Sequence, residues 1–333
     1  MFHRQNSTPS EPPTVSFIVP VRNDEIRLRK CLQSLQANRP FGLDPEIIVV
    51  DNGSSDASAA VARAAGARVL HCPGLRVSEL RNRGAAAATG QILAFVDADH
   101  EIATDWAKHA IEALGATSVG AVGAAYRAPV NGTWVQKTYD LLRRHHREIR
   151  DVEWLASGNM AIRRGSFAQV GGFDETLETC EDVDLSWRLR TAGMRIVHDP
   201  GLRSTHLGDP ASLAEVFRGE LWRGRDNIRA SIRGFVGLRD LVSTAVPVIQ
   251  LILMILALVG TATVSAPGFW AASIGIVGFL CVTSARAFRM LDQSEQVTAR
   301  LCGQALMVAA VYDLARALSL IRPADHAQRR ASS

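Results

Sequence analysis

Residues 91–106 read QILAFVDADHEIATDW, and the fold turns on how this stretch is understood. An apolar run, Ile92 to Val96, ends abruptly in two aspartates spaced by one residue, Asp97 and Asp99, with His100 directly behind them. Side chains at i and i+2 of an extended chain lie on the same side. Alternation therefore predicts that both carboxylates face one point just beyond a buried strand. Two anions held close together repel, so they need a proton, a cation or open water.

Upstream, the same design repeats. VSFIVPVRN (15–23) reads as a short apolar strand, and residues 24–37 follow with a helical rhythm of Ile26, Leu28, Cys31, Leu32 and Leu35. PEIIVVDNGSSDASAAVARAAG (45–66) is a strand ending in Asp51, a Gly/Ser loop and an alanine-rich helix that Asp56 is placed to cap. ARVLHCP is a third strand, VSELRNRGAAAATG a helix, and QILAFVDAD the strand of the aspartate pair. This alternation predicts a parallel α/β sheet. Ligands of such sheets collect beyond the carboxyl ends of the strands, where Asn23, Asp51, Asp97 and Asp99 fall. No GxGxxG follows the first strand and no GxxxxGK[ST] occurs, which argues against hydride transfer and P-loop chemistry.

Downstream the signals are weaker. Residues 118–129 look like a strand or a pair, and 154–175, rich in small residues, like loops. CEDVDLSWRLRTAG (180–193) is a helix candidate, and His206 follows a short strand.

Between Asp240 and Arg286 there is no Asp, Glu, Lys, Arg or His. A charge-free tract of this length reads as membrane-spanning: one span over 245–265, a second over 269–285, and APG as the turn between them. Arginines flank both ends, among them Arg218, Arg223, Arg225, Arg229 and Arg239 before and Arg286, Arg289 and Arg300 after. The positive-inside rule puts both flanks in the cytoplasm. The polar lead, residues 1–13, carries no apolar h-region, so the preceding domain (14–240) is expected to stay cytosolic. A third apolar piece, 301–321, holds Asp313 and Arg316, three apart and spaced to pair. Residues 286–333 thus hold a third apolar helix, either a span with an internal ion pair or a helix lying in the interface, and the arginine-bearing tail behind it favours the interface. Five cysteines, an odd number with no CxxC, indicate reduced thiols. The net charge is +4, and the arginines gather near the spans without interleaved aromatics, so the partner is a membrane rather than nucleic acid.

The chemistry follows from the carboxylates. Asp97-Ala98-Asp99 at a strand end suits Mg²⁺ or Mn²⁺, which are commonly held by one or two carboxylates plus substrate phosphates. A metal completed by a diphosphate implies a nucleotide-linked substrate, with the metal stabilising the leaving group. A sugar hydroxyl is a poor nucleophile and needs a base, which Glu181-Asp182 offers. At a helix N-terminus Asp182 becomes a useful base only if burial or a neighbouring charge raises its pKa. Otherwise CEDVD is ordinary helix N-terminal charge.

Five pieces in order, SFIVPVRND (16–24), IIVVDNGSSD (47–56), RNRGAAAATGQILAFVDAD (81–99), SGNMAIRRGSFAQVGGFDE (157–175) and CEDVDLSWRLRTAG (180–193), resemble the family-2 glycosyltransferases of the GT-A fold over about residues 15–207. The resemblance implies an inverting enzyme on a Rossmann-like mixed sheet with flanking helices, followed by the transmembrane helices. It also implies a nucleotide-diphosphate sugar, often UDP-linked, and a divalent metal. Pro20, Arg22 and Asp51 would form the nucleotide pocket, with Asp51 toward the base. Arg81, Gly84 and Asp97 would lie near the donor, and Asp99 would bind the metal with His206 close by. Gly158 and Asn159 would border the acceptor or sugar, and Asp182 would take the acceptor proton.

The chain departs from the processive members, which carry Q-x-x-R-W. Here FRGELWRGRDNIR (217–229) has Trp222 and Arg223 in the opposite order and no glutamine. The expected task is one sugar added to a lipid-linked or glycan acceptor in envelope or exopolysaccharide synthesis, at a bacterial-type inner membrane, beside other synthesis proteins. Arg223, Arg225 and Arg229 would meet the donor diphosphate or an anionic lipid-linked phosphate. A nucleotidyl-type transferase would need a basic loop at the first strand, where only Arg22 and Arg27 stand. A non-catalytic membrane scaffold is the competing class. Loss of Asp97, Asp99 or Asp182 would mark it, and all three are present.

Overall fold

A computed structural model describes residues 14–321 except 43, 144, 178, 225–237 and 264, and the side chains of 41 and 238–244 are also outside it. Arg225 and Arg229 thus lie outside the described residues, as do the lead and the basic tail.

The strands are β1 (Val15–Val21), β2 (Glu46–Asp51), β3 (Arg68–His71), β4 (Ile92–Val96), β5 (His100–Ile102), β6 (Val119–Gly123), β7 (Arg150–Asp151), β8 (Asn159–Arg163), β9 (Arg195–His198) and β10 (Ser204–His206). The helices of the soluble part are α1 (Glu25–Gln36), α2 (Ser58–Ala64), α3 (Val77–Ala87), α4 (Trp106–Ala113), α5 (Trp134–Asp140), α6 (Arg164–Gln169), α7 (Glu181–Thr191) and α8 (Leu213–Arg223). They are followed by α9 (Leu238–Ala262), α10 (Ala266–Leu291) and α11 (Ala299–Ser319).

Eight strands form one sheet in the order β3-β2-β1-β4-β8-β6-β9-β7, and β10 pairs antiparallel with β5 in a small second sheet. β3, β2, β1 and β4 are parallel neighbours, as the strand-helix alternation predicts. β8 then runs antiparallel between β4 and β6, which makes the sheet mixed. This is a correction: residues 154–175, expected as loops, contain a central strand. Its residues Asn159 to Ile162 are all buried, so it shows no in-out alternation, and flanking glycines mask it. Asp56 does not cap its helix by side chain at the N-cap, which is Ala57. Its carboxylate accepts from the Ser58 and Glu25 backbone instead.

Both sheet faces are covered. Phe17, Val19 and Val21 pack with Leu28, Leu32 and Leu35 of α1 and Trp106 and Ala110 of α4. Ile18, Ile48 and Val50 pack with Leu80 of α3, Phe167 of α6 and Leu185 and Leu189 of α7. A Cβ at Gly84 of α3 would run into Ile18 and Val50. Gly84 therefore serves helix-to-sheet packing and not the donor pocket, contrary to the sequence expectation. Gly84→Val should cost about 1–3 kcal/mol through overpacking, seen as a lower thermal midpoint of the detergent-solubilised protein. Nucleotide affinity of the folded fraction should stay unchanged.

Three helices, Ala245–Ala262 within α9, α10 and α11, are long and apolar enough to cross a membrane. The APG stretch is not the turn between the first two: Ala266, Pro267 and Gly268 open α10, with Ser265 as its N-cap. Proline is well accommodated in the first turn of a helix, so the break falls earlier. α9 and α10 approach closely through glycine, since a Cβ at Gly275 would meet the backbone of Ala257 and Leu253. α11 packs its Ala305, Val308 and Ala309 on Val135 and Tyr139 of α5 and Val216 of α8. Asp313 and Arg316 do not pair with each other. Asp313 takes Arg286 of α10 at 2.7 Å, and Arg316 reaches Glu220 of α8 at 2.8 Å. Each partner lies on a neighbouring element, where sequence spacing carries no signal.

Candidate active site

The carboxyl ends of β1, β2, β4, β6 and β9 open on one cleft of about 1740 Å³. The two aspartates do not share a point in it. Residues 98 and 99 form a turn rather than extended chain, which breaks the alternation. Asp97 is paired with Arg81 of α3 at 2.7 Å, and the other arm of that buried guanidinium holds Glu181 of α7 at 2.7 Å. Asp99 faces His206 Nε2 at 3.1 Å, with Arg27 at 3.9 Å. Of the three remedies for two repelling anions, each aspartate has found its own cation.

Asp99, His100 and His206 bring ligand atoms within 4.8 Å of one another. The antiparallel β5–β10 pair builds this cluster by setting His100 opposite His206. Both imidazoles are held by the ring nitrogen that faces away from it. His206 Nδ1 lies 2.6 Å from Asp209, and His100 Nδ1 lies 2.7 Å from the Ser204 hydroxyl. Such outer partners orient metal-binding histidines, so the donor set fits a divalent cation, with Asp99 and the two Nε2 atoms as the ligands on offer. Burial opposes charge on His206, but the bonds to Asp209 and Asp99 raise its pKa to about 9. Burial and the His206 charge push His100 down to about 4. Burial works against the Asp99 charge, yet the bond to His206 and the nearby cations hold its carboxyl well below the usual range.

Asp182 stands at the opening of α7. Cys180, at φ 62°, is a non-glycine residue in the left-handed region and turns the chain so that the first residues of the helix meet the cleft. Asp182 accepts from the Ser157 backbone at 3.3 Å and from its neighbour Val183 at 2.9 Å. It is half-buried on the cleft wall. Burial and the Glu181 charge raise its pKa, with Arg81 pulling the other way. Burial and a neighbouring like charge, the two features that raise such a carboxyl at a helix N-terminus, are both present here.

Pro20, Arg22, Arg81, Asp97, Asp99 and Asp182 line the one cleft, as do His206 and Arg223. Two other expected residues are placed differently. Asp51 is 2% exposed: its oxygens take the Ser54 backbone and His71 at 3.0 Å each, so it braces the loop beneath the cleft while Asn52 lines it. Asn159 is fully buried and spent. It accepts from Trp106 Nε1 at 2.7 Å and donates to the carbonyls of Ala124 and Leu202 at 2.9 Å each, which makes it a strut under the site. Gly158 does line the cleft, and a Cβ there would press on Asp97 and His100. Asn159→Ala is expected to lower stability by about 1–3 kcal/mol, because three buried groups lose a partner. A denaturation midpoint measures this, and donor affinity of the folded fraction should hold.

Sequence reasoning missed His100 as a ligand, Asp209 behind His206, and Arg143. Arg143 binds Asp209 through Nη1 at 2.8 Å and lies over the Tyr126 ring at 4.2 Å. The H-x-x-D spacing of His206 and Asp209 was the available signal.

Comparison with known proteins agrees with this geometry. A pre-mycofactocin glycosyltransferase of Mycobacterium tuberculosis is 31% identical over 199 residues, 56% of this chain and 41% of that one. The chain thus spans about two-fifths of that relative's length. The glycosyltransferase AglE of Haloferax volcanii is 25% identical over 242 residues, 70% of this chain and 79% of that one. The solved mannosyltransferase PcManGT from Pyrobaculum calidifontis, in complex with GDP-Man and Mn²⁺, has the same fold, with a TM-score of 0.57 at 19% identity over 90% of this chain and 86% of that one. Residues 16–171, which carry β1 to β4, the aspartate pair and β8, match the family described as Glycosyl transferase family 2. That segment, nearly half of the chain, is thus a family-2 glycosyltransferase segment on a GT-A-like sheet, and long apolar helices follow it.

Proposed function

We propose that the protein transfers a single sugar, with inversion, from a nucleoside-diphosphate sugar to a membrane-held lipid or glycan acceptor in envelope or exopolysaccharide synthesis. One observation carries this reading. The cleft that holds Asp97, Asp99 and Asp182 runs on to Trp222 of α8, Val246 and Pro247 of α9 and Tyr312 of α11. Donor chemistry and membrane helices thus share one space, and an acceptor anchored in the bilayer has a path to the base.

Pro20, Arg22 and Asn52 are placed for the nucleotide, above the loop that Asp51 braces. A divalent cation at Asp99, His100 and His206 supplies charge stabilisation to the leaving diphosphate. Two imidazoles beside one carboxylate favour Mn²⁺ over Mg²⁺, which prefers oxygen ligands. Asp182 accepts the proton of the attacking acceptor hydroxyl. Arg81 keeps Asp97 and Glu181 in place on either side. α9 and α10 form the membrane hairpin of an inner-membrane protein whose catalytic domain is cytoplasmic. α11, seated on α5 and α8, lies at the interface between that domain and the hairpin.

The test is a panel of UDP-, GDP- and dTDP-sugars with Mn²⁺ or Mg²⁺ and a host lipid extract, given to the detergent-solubilised protein. Metal-dependent transfer from one donor into the lipid fraction, lost in Asp182→Asn, is the expected result. No binding of any nucleotide-sugar in the presence of metal would return the protein to the scaffold class.

A further inference from the structure

The segment behind His206 is bolted to α5. The Thr133 hydroxyl, at the N-cap of α5, donates to the Ala211 carbonyl at 2.9 Å, and Gln136 Nε2 donates to the Asp209 carbonyl at 2.9 Å. At the other end of α5 the chain turns, the Arg143 amide donating to the Asp140 carbonyl at 3.0 Å. That turn carries the Arg143 side chain back to the Asp209 carboxylate, 66 positions away in sequence. Asp209 is closed in there, with no part of its side chain exposed. Its Oδ1 lies 2.6 Å from His206 Nδ1 and also accepts from Arg143 Nη2, while Oδ2 accepts from Arg143 Nη1 at 2.8 Å. A buried carboxylate needs a cation and satisfied lone pairs, and a paired guanidinium fixes its plane as well. The His206 ring is thereby set with Nε2 toward Asp99, 3.1 Å away.

A second contact reaches His100. The Arg143 guanidinium lies over the Tyr126 ring at 4.2 Å, a cation–π contact. That ring packs against both imidazoles of the cluster, its centroid 4.8 Å from His100 and 4.8 Å from His206. A close-packed ring limits how far its neighbours can turn. Asp140, paired with Arg143 at 2.9 Å, holds the guanidinium from the α5 side. One arginine thus backs both histidines, through a carboxylate and through a ring.

We propose that Arg143 is a positioning residue of the metal site, which acts through Asp209 and Tyr126 to present the Nε2 atoms of His206 and His100 to the cation. The proposal rests on the metal reading of Asp99, His100 and His206 given above. Lysine would not replace it. An ammonium keeps the charge but neither forks across a carboxylate nor stacks flat on a ring.

The experiment is Mn²⁺ titration of the full chain in detergent, followed by electron paramagnetic resonance, with pulsed measurement of nitrogen coupling to the bound ion. The wild type should show imidazole nitrogen coupled to Mn²⁺. Arg143→Met should weaken Mn²⁺ binding about 10–100-fold and reduce that coupling at saturating metal. Arg143→Lys, which keeps a cation beside Asp209 and so spares the fold, should still weaken binding about tenfold. Combined with Asp209→Asn, it should cost less than the two separate losses multiplied, because both act along one path. Arg163→Lys is the structural control. Arg163 is half-buried at the end of β8 away from the cleft and donates to the Val119 carbonyl at 3.1 Å, so its loss should lower the thermal midpoint while Mn²⁺ binding holds. Mn²⁺ affinity and nitrogen coupling that ignore both Arg143 substitutions would overturn the proposal. So would an equal loss of affinity in Arg163→Lys, which would make the effect one of folding. Multiplicative losses with Asp209→Asn would remove the route through Asp209. Mn²⁺ bound by the wild type without nitrogen coupling would sink the metal reading itself, whereas nitrogen coupling with no Arg143 effect would leave that reading standing.

Discussion

Asp182→Asn should lower sugar transfer by roughly 10²–10⁴-fold, the usual contribution of a positioned general base, with donor and Mn²⁺ affinity preserved. The amide keeps the size and the hydrogen bond from the Val183 backbone but cannot take a proton. The pH profile offers an independent check. A base works when ionised, and burial with the Glu181 charge raises the Asp182 carboxyl well above the usual aspartate range. Transfer by the wild type should therefore rise with pH along a limb displaced upward from that of an ordinary aspartate. An unperturbed aspartate would place that limb near 4. Glu181 has a different part: it is tied to Arg81 at 2.7 Å and to the Ser157 hydroxyl at 3.2 Å, so its loss would disturb the site's geometry.

Asp99→Asn carries the second large effect. Losing an outer partner of a metal ligand typically costs 10–100-fold in affinity; losing the carboxylate itself should exceed about 100-fold. Titration of Mn²⁺ followed by electron paramagnetic resonance measures this without turnover. Asp97→Asn should behave differently. Asp97 is bound to Arg81 and stands outside the three-residue cluster, so its loss should chiefly free that buried guanidinium. Retained Mn²⁺ binding in Asp99→Asn, or equal losses in the two variants, would move the metal away from His206.

The sequence showed most clearly what is written in local periodicity. β1, β2 and β4 are apolar runs ended by polar residues, and α1 shows its Leu28-Leu32-Leu35 stripe, so the parallel half of the sheet was legible. β8 was not, because a short strand buried on both faces between glycines has no period to read. Asp99, Asp182 and His206 were found as residue types at strand and helix ends, and the cleft contains all three. Their partners came from afar: Arg81 joins Glu181 across 100 positions, and Arg316 joins Glu220 across 96. The same distance explains Asp313 and Arg316, spaced to pair with each other yet bound to separate neighbours. Asn159 misled for another reason. A buried asparagine with all its bonds made looks, in sequence, like one waiting for a ligand.

The measurement that bears most directly on the central claim is the anomeric configuration of the sugar in the product, read by NMR from a donor of known configuration. A single displacement with Asp182 as base predicts complete inversion, an α-linked donor giving a β-linked product. Retention would contradict it, since that outcome requires a covalent intermediate or front-face attack instead of a single in-line displacement.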